Sequence, residues 1–368
     1  RCVEYINMLQ TIKSHFWAFV AGFFNRTLLC IICLVYALLY SAQDGLIYHP
    51  RAYSGRYGNY YMKVRRAAKQ QLALVNGGVL KEISYKVPGV GQQTAYWLPP
   101  AKDIFETCVS ADGRKEDSVS GKTFRLWMAY GGNAGLALDW ATFGADHMSR
   151  NRNEQISFFL VDYPGYGKNS GAPSPESILL ETELALNALD QKLHNYFSMK
   201  TSPCRPPRGR SLYKLSFVGH SLGAAAALQY GAKVAGTKWH VDRFVLVSPF
   251  TSMYEMTKLV VGPLPFVRYL LRHDFDNLDK LKELAKCSAC RDDENRKREF
   301  DRVGIKLSVI HGTNDEICPE KMGKEIIQYA TMNFRTVLSP RYVPIPGGRH
   351  NSIINSAKEA IMTEMMRS

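Results

Sequence analysis

FVGHSLGAAAA, residues 217–227, decides the fold. A short apolar run ends at Val218, a serine stands between two glycines, and an alanine-rich stretch follows at once. A serine that merely caps a helix has no need of a glycine two residues away on either side. A nucleophile elbow does, because its serine takes an unfavourable backbone conformation on a tight strand-to-helix turn. Gly219 and Gly223 then supply the room, and Ser221 raises its hydroxyl above the carboxyl edge of a sheet. The N–H of Leu222, in the opening turn of the helix, points toward the reacting carbonyl.

A serine attacks only when a histidine takes its proton and a carboxylate holds that histidine in the right tautomer. In a strand–turn–helix topology both partners come later, at the carboxyl ends of successive strands. Asp315 closes IKLSVIHGTND (305–315), and His350 closes RYVPIPGGRH (341–350). Glu316 is the alternative acid, while Asp162 in VDYPGYG reads as structural. His220 falls inside the elbow, and His311 reads as a core or strand-edge residue. The second oxyanion donor belongs on the glycine-rich turn AYGGNAG (129–135), as the N–H of Asn133 or of Gly132.

Working outward, KTFRLWMAYGG (122–132), ISFFLVDYPGYG (156–167) and DRFVLVSPF (242–250) read as buried strands, each leading toward a helix. LKEISYKVPG and QQTAYWLPP read as an opening antiparallel pair, and 176–197 as a long amphipathic helix. Near-continuous apolar strands alternating with helices predict an α/β fold with a parallel sheet covered on both faces. Residues 251–302 break that rhythm and are expected to form a lid insertion. Its Leu- and Phe-rich first half, KLVVGPLPFVRYLL (258–271), suits an acyl chain.

The N-terminal 1–45 read as a membrane anchor. Val3, Ile6, Leu9, Ile12, Phe16 and Phe19 recur at helical spacing, and LLCIICLVYALLY (28–40) carries no charge. Residues 28–40 alone span about 20 Å as a helix, so the apolar stretch is extended back to Phe16 to cross a hydrocarbon core of about 30 Å. Arg51, Arg56, Lys63, Arg65, Arg66 and Lys69 lie downstream, against Arg1 and Lys13 upstream, which predicts a catalytic domain on the cytosolic or organelle-matrix side. Residues 46–79 read as a basic linker, and 80–368 as one catalytic domain.

The chain carries 47 Lys+Arg against 33 Asp+Glu, a formal charge of +14, which favours anionic partners such as acidic lipid headgroups. The basic residues are scattered over loops and no nucleic-acid motif is present, so no nucleic acid is expected as a partner. The eight cysteines lack disulfide-framework spacing. Cys287 and Cys290 form a lone CxxC without a second ligand pair, so neither a metal nor another cofactor is expected.

YGGNAG, VDYPGYGKNSG, GHSLG, SPFTS, HGTNDEICP and GGRHN, in that order, resemble the membrane-anchored α/β-hydrolase-domain serine hydrolases, a group of lysophospholipid and monoacylglycerol lipases and protein depalmitoylases. The resemblance runs from about 80 to 365. It implies a mostly parallel eight-stranded sheet, a Ser221–His350–Asp315 triad, and oxyanion donors on Leu222 and Asn133. Two positions depart from the family pattern: Gly131 stands where it has histidine, and Pro164 where it has arginine. The expected function is a membrane-anchored hydrolase of acyl esters or thioesters, acting through an acyl-enzyme on a lipid or an acylated protein. The rival reading is a catalytically silent subunit or scaffold of a membrane complex.

Overall fold

The computed structural model describes residues 2–55, 58–101, 124–199, 213–262, 267–289 and 304–367. These fall into two compact units.

The first unit holds a single helix, α1 (Cys2–Ile47), and the short turn Val267–Leu270. From Asn25 to Ile47 the helix is long and apolar enough to cross a membrane, by length and composition. Leu28, Leu29, Leu34 and Leu38 stand more than half exposed along it. At its end Gln43 donates to the Leu270 carbonyl (2.8 Å) and accepts from the Arg272 N–H (2.8 Å).

The second unit, residues 48–262 and 273–368, is built on one eight-stranded sheet of order β1-β2-β4-β3-β5-β6-β7-β8. The strands are β1 (Lys81–Val87), β2 (Gly91–Leu98), β3 (Phe124–Tyr130), β4 (Ile156–Val161), β5 (Tyr213–His220), β6 (His240–Val247), β7 (Ile305–Gly312) and β8 (Leu338–Ile345). As expected, β1 and β2 pair antiparallel; β2 is antiparallel to β4 as well, and every later pairing is parallel. Hydrophobic pattern follows position. Every residue of β4 is buried, so both faces of the sheet are covered there, whereas edge strand β1 alternates and turns Ile83, Tyr85 and Val87 inward.

Helices fill the crossovers. Residues 58–76, within the stretch read as a basic linker, form α2 (Gly58–Asn76), which buries Tyr61, Ala68 and Leu72. Next come α3 (Ala141–Arg150), α4 (Pro175–Met199) and α5 (Leu222–Val234). The alanines of α5 let it lie close to the sheet: Ala224 to Ala227 are all buried, and a methyl group on Gly231 would collide with the Phe244 ring. In the predicted lid region, α6 (Met253–Val261) has no fully buried residue, and α7 (Asn277–Ala289) packs inward through Leu281 and Leu284. The rest of that insertion from 290, with Cys290, lies outside the described residues, as does the Pro-rich stretch 200–212. The sheet is completed around α8 (Glu320–Phe334), and α9 (Lys358–Met366) ends the chain. Arg243, 2% exposed, anchors that last helix by donating to the Met365 carbonyl (2.7 Å).

Candidate active site

Each candidate residue follows the carboxyl end of a strand: Gly131–Asn133 after β3, Ser221 after β5, Asp315 after β7 and His350 after β8. The parallel register therefore brings them all to one edge.

Ser221 sits at φ 54°, ψ −118°, a conformation that L residues rarely adopt, which costs on the order of 1–3 kcal/mol and persists only where the surroundings enforce it. The enforcement is visible. The Ser221 N–H donates to the Val247 carbonyl at 2.9 Å, and its own carbonyl accepts from Ala224 N–H at 2.9 Å. A methyl group on Gly219 would run into the Gly223 carbonyl, and one on Gly223 into the Tyr130 carbonyl. Both glycines are thus required by close backbone approach. Leu222 is the first residue of α5, a position whose N–H has no acceptor within the helix.

Asp315 and His350 meet. The His350 Nδ1–H donates to both carboxylate oxygens at 2.9 Å, which leaves Nε2 as the basic nitrogen. Asp315 also accepts the N–H groups of Ile317 (3.0 Å) and Cys318 (2.8 Å). Burial by itself would raise its affinity for a proton. The ring N–H groups of His311 and His350 outweigh that and hold the carboxyl well below the usual carboxylate range. Glu316, the alternative acid, is turned elsewhere: it accepts the His350 backbone N–H (3.3 Å) and pairs with Arg349, and is far more exposed.

Three neighbours have contacts that the sequence does not reveal. His311, fully buried, donates Nε2–H to the Cys318 carbonyl at 2.8 Å and lies 3.4 Å from Asp315 Oδ2, so it braces the acid rather than filling the core. His220 has its ring 4.9 Å from that of His350 and donates Nε2–H to the His350 carbonyl at 3.1 Å. Burial, then the His350 charge, pushes it down to about 4, so it is neutral and structural at pH 7. Ser248 repeats the elbow's strain one strand over, with φ 47°. Only a signal in SPFTS could have found it, as a serine directly after a buried strand. Beside Ser221 lies Cys318, whose thiol is pushed up to about 12 by burial and by the Asp315 carboxylate, too high for a competing thiolate.

In the turn after β3 two successive peptide planes are held by hydrogen bonds. Tyr163 OH donates to the Gly131 carbonyl (2.6 Å), and Gly135 N–H donates to the Gly132 carbonyl (2.9 Å). A trans peptide directs its N–H opposite to its C=O, so these two bonds fix the Gly132 and Asn133 N–H groups respectively. A methyl group on Gly131 would come within 2.9 Å of the Gly135 backbone, so this turn leaves no room for a side chain there. Asp162, read as structural, is buried and accepts Ala137 N–H (2.7 Å) and Tyr53 OH (3.0 Å); burial pushes it up to about 7. Among the described residues no group of His, Cys, Asp and Glu could hold a metal ion.

Comparison with known proteins follows the same lines. The profile of the "Alpha/beta hydrolase family" matches residues 129–355. An uncharacterized protein of Mycobacterium tuberculosis (strain H37Rv) is 26% identical over 196 residues, 53% of each chain. The lysophosphatidylserine lipase ABHD12 of Danio rerio is 26% identical over 247 residues, 64% of this chain and 56% of that one. The chain thus spans about half the length of the curated relatives it matches. Among solved structures, an α/β hydrolase from Vibrio vulnificus aligns with a TM-score of 0.49 at 15% identity, covering 86% of this chain and 97% of that one. A Pyrococcus furiosus esterase aligns at 0.48 and 12%, covering 87% and 96%. With more than half of its length matched by that family profile, the chain belongs to the alpha/beta hydrolase family.

Proposed function

We propose that the chain is a membrane-anchored serine hydrolase that cleaves acyl ester or thioester bonds through an acyl-enzyme. One observation carries the reading: a serine on a strained elbow shares a sheet edge with a histidine whose Nδ1–H is held by a buried carboxylate. Ser221 Oγ attacks the acyl carbon while its proton passes to His350 Nε2. The oxyanion that forms is held by Leu222 N–H and by Asn133 or Gly132 N–H. As the carbon–oxygen or carbon–sulfur bond breaks, His350 returns the proton to the leaving alcohol or thiol. Water, deprotonated by the same nitrogen, then releases the acid and restores the serine.

The apolar, exposed stretch of α1 supports an anchor, and the excess of basic residues after it supports a catalytic unit on the cytosolic or matrix side. A lysophospholipid is the first substrate to try, because the Danio rerio relative is a lysophosphatidylserine lipase. The test is fatty-acid release from detergent-dispersed lysophospholipids and from a palmitoyl thioester, wild type beside Ser221→Ala. Loss of release by about six orders of magnitude in the variant is expected. Equal release from both proteins would refute the assignment of Ser221, and none from either would favour a scaffold role.

A further inference from the structure

The segment after α1 is bonded, donor by donor, to the loop that carries the candidate oxyanion donors. His49 N–H donates to the Asn133 carbonyl (3.0 Å) and to Tyr166 OH (2.9 Å), and Tyr166 OH donates to that same Asn133 carbonyl (2.6 Å). Arg51 donates to Asp139 Oδ2 (2.8 Å), the oxygen that accepts Leu136 N–H (2.9 Å), while Tyr61 OH reaches Asp139 Oδ1 (3.2 Å). Tyr53 OH accepts Leu138 N–H (3.1 Å) and donates to Asp162 Oδ1, which also takes Ala137 N–H. The strap is itself tied down: Gly167 N–H donates to the Arg51 carbonyl (2.7 Å), and Ala52 bridges to Gly167.

We propose that residues 49–53, together with Tyr61, act as a positioning strap for the oxyanion loop, with Arg51 and Tyr53 as positioning residues that set the rate of the chemical step without touching substrate. This rests on the serine-hydrolase reading above. The physical argument is one of peptide planes. Gly131, Gly132 and Asn133 each have a carbonyl bonded, so the intervening N–H groups are aimed before substrate arrives. Tyr163 and Gly135 hold the two planes that carry the Gly132 and Asn133 N–H groups, and the strap's His49 holds the next plane, Asn133–Ala134, which fixes the far side of Asn133. Arg51, Tyr53 and Tyr61 then fix residues 136–139, on which the turn is seated. The bonds are partly or fully buried, so water is a poor substitute for a lost partner. An oxyanion donor set slightly off its mark loses most of its worth, because its hydrogen bond must shorten as charge develops.

The experiment uses the full chain with Tyr53→Phe, Arg51→Ala and Arg51→Lys. Two readouts are taken: amide hydrogen exchange of residues 131–139, and kcat and KM per site titrated with a fluorophosphonate. Faster exchange of that loop is expected in Tyr53→Phe and Arg51→Ala. With it kcat falls tenfold or more, KM stays within about twofold, and a trifluoromethyl ketone analogue of the tetrahedral state loses affinity in proportion to kcat/KM. Arg51→Lys restores part of each. Unchanged exchange overturns the strap, and faster exchange with unchanged kcat overturns its catalytic role. A wild type that takes no fluorophosphonate overturns the serine-hydrolase reading instead, and the exchange readout still decides whether the strap holds the loop.

Discussion

Asp315→Asn removes one charge and almost no volume, and the site predicts its effect in detail. In the wild type the carboxylate is an acceptor only, so His350 must carry its proton on Nδ1. An asparagine that keeps its Oδ1 under the N–H groups of Ile317 and Cys318 turns its amide nitrogen toward His350 and toward His311 Nε2, 3.4 Å from the replaced oxygen. One of the two acceptors 2.9 Å from His350 Nδ1 becomes a donor and the other loses its charge, so the tautomer protonated on Nε2, which presents no base to Ser221, is favoured. The expected loss in kcat is about four orders of magnitude, or roughly 5.5 kcal/mol of transition-state stabilisation. Against His311, itself committed to the Cys318 carbonyl, two donors now face each other, costing about 1–3 kcal/mol of folding stability. Steady-state hydrolysis of a p-nitrophenyl ester gives the first quantity, and urea unfolding the second. His311→Gln is the companion variant; it touches the longer contact only, so kcat should fall less than tenfold. A kcat for Asp315→Asn within tenfold of wild type would refute the assignment of the acid.

Gly223→Ala should destroy the elbow, since its methyl group meets the Tyr130 carbonyl and no rotamer relieves it; soluble yield and probe labelling should fall together. Tyr163→Phe frees the Gly131 carbonyl and unfixes the Gly132 N–H, so kcat should fall about tenfold to a hundredfold with KM little changed. His147 is completely buried against Phe158 with neither ring nitrogen hydrogen-bonded, and burial pushes it down to about 4. Because its folded pKa is depressed, the unfolded state takes the proton first: stability is fully present above about 6.5 and is lost as pH falls toward 4. His147→Phe should therefore gain about 2 kcal/mol relative to wild type between pH 8 and pH 5 in urea unfolding; parallel stability curves would contradict this.

The elbow was legible because its logic is local: two glycines, a serine and the change from strand to helix fall within seven residues. That Asp315 and His350 come together was legible through topology, since a parallel sheet delivers the ends of β7 and β8 to the same edge as β5. What escaped was carried by groups that leave no pattern. His49 acts through its backbone N–H, and Tyr53 through a hydroxyl bonded to residues more than eighty positions on. Their stretch drew the eye by its positive charge, although Tyr61, Ala68 and Leu72 already mark the buried face of α2 at helical spacing. His311 reads as a core or strand-edge residue because it lies at the end of a strand run, and only the turn of Asp315 back toward Cys318 gives it a polar duty. In α1 the polar pair Asn25 and Arg26 does not interrupt the helix, since neither residue type terminates one, and the chain runs through them from Cys2 to Ile47.

The central claim is that Ser221 is an activated nucleophile. It is tested most directly by labelling the full chain with a fluorophosphonate and locating the adduct by mass spectrometry. The account predicts a single adduct on Ser221, abolished in Ser221→Ala and reduced to trace in His350→Ala. A folded wild type that takes no label, or one labelled equally in His350→Ala, would contradict it.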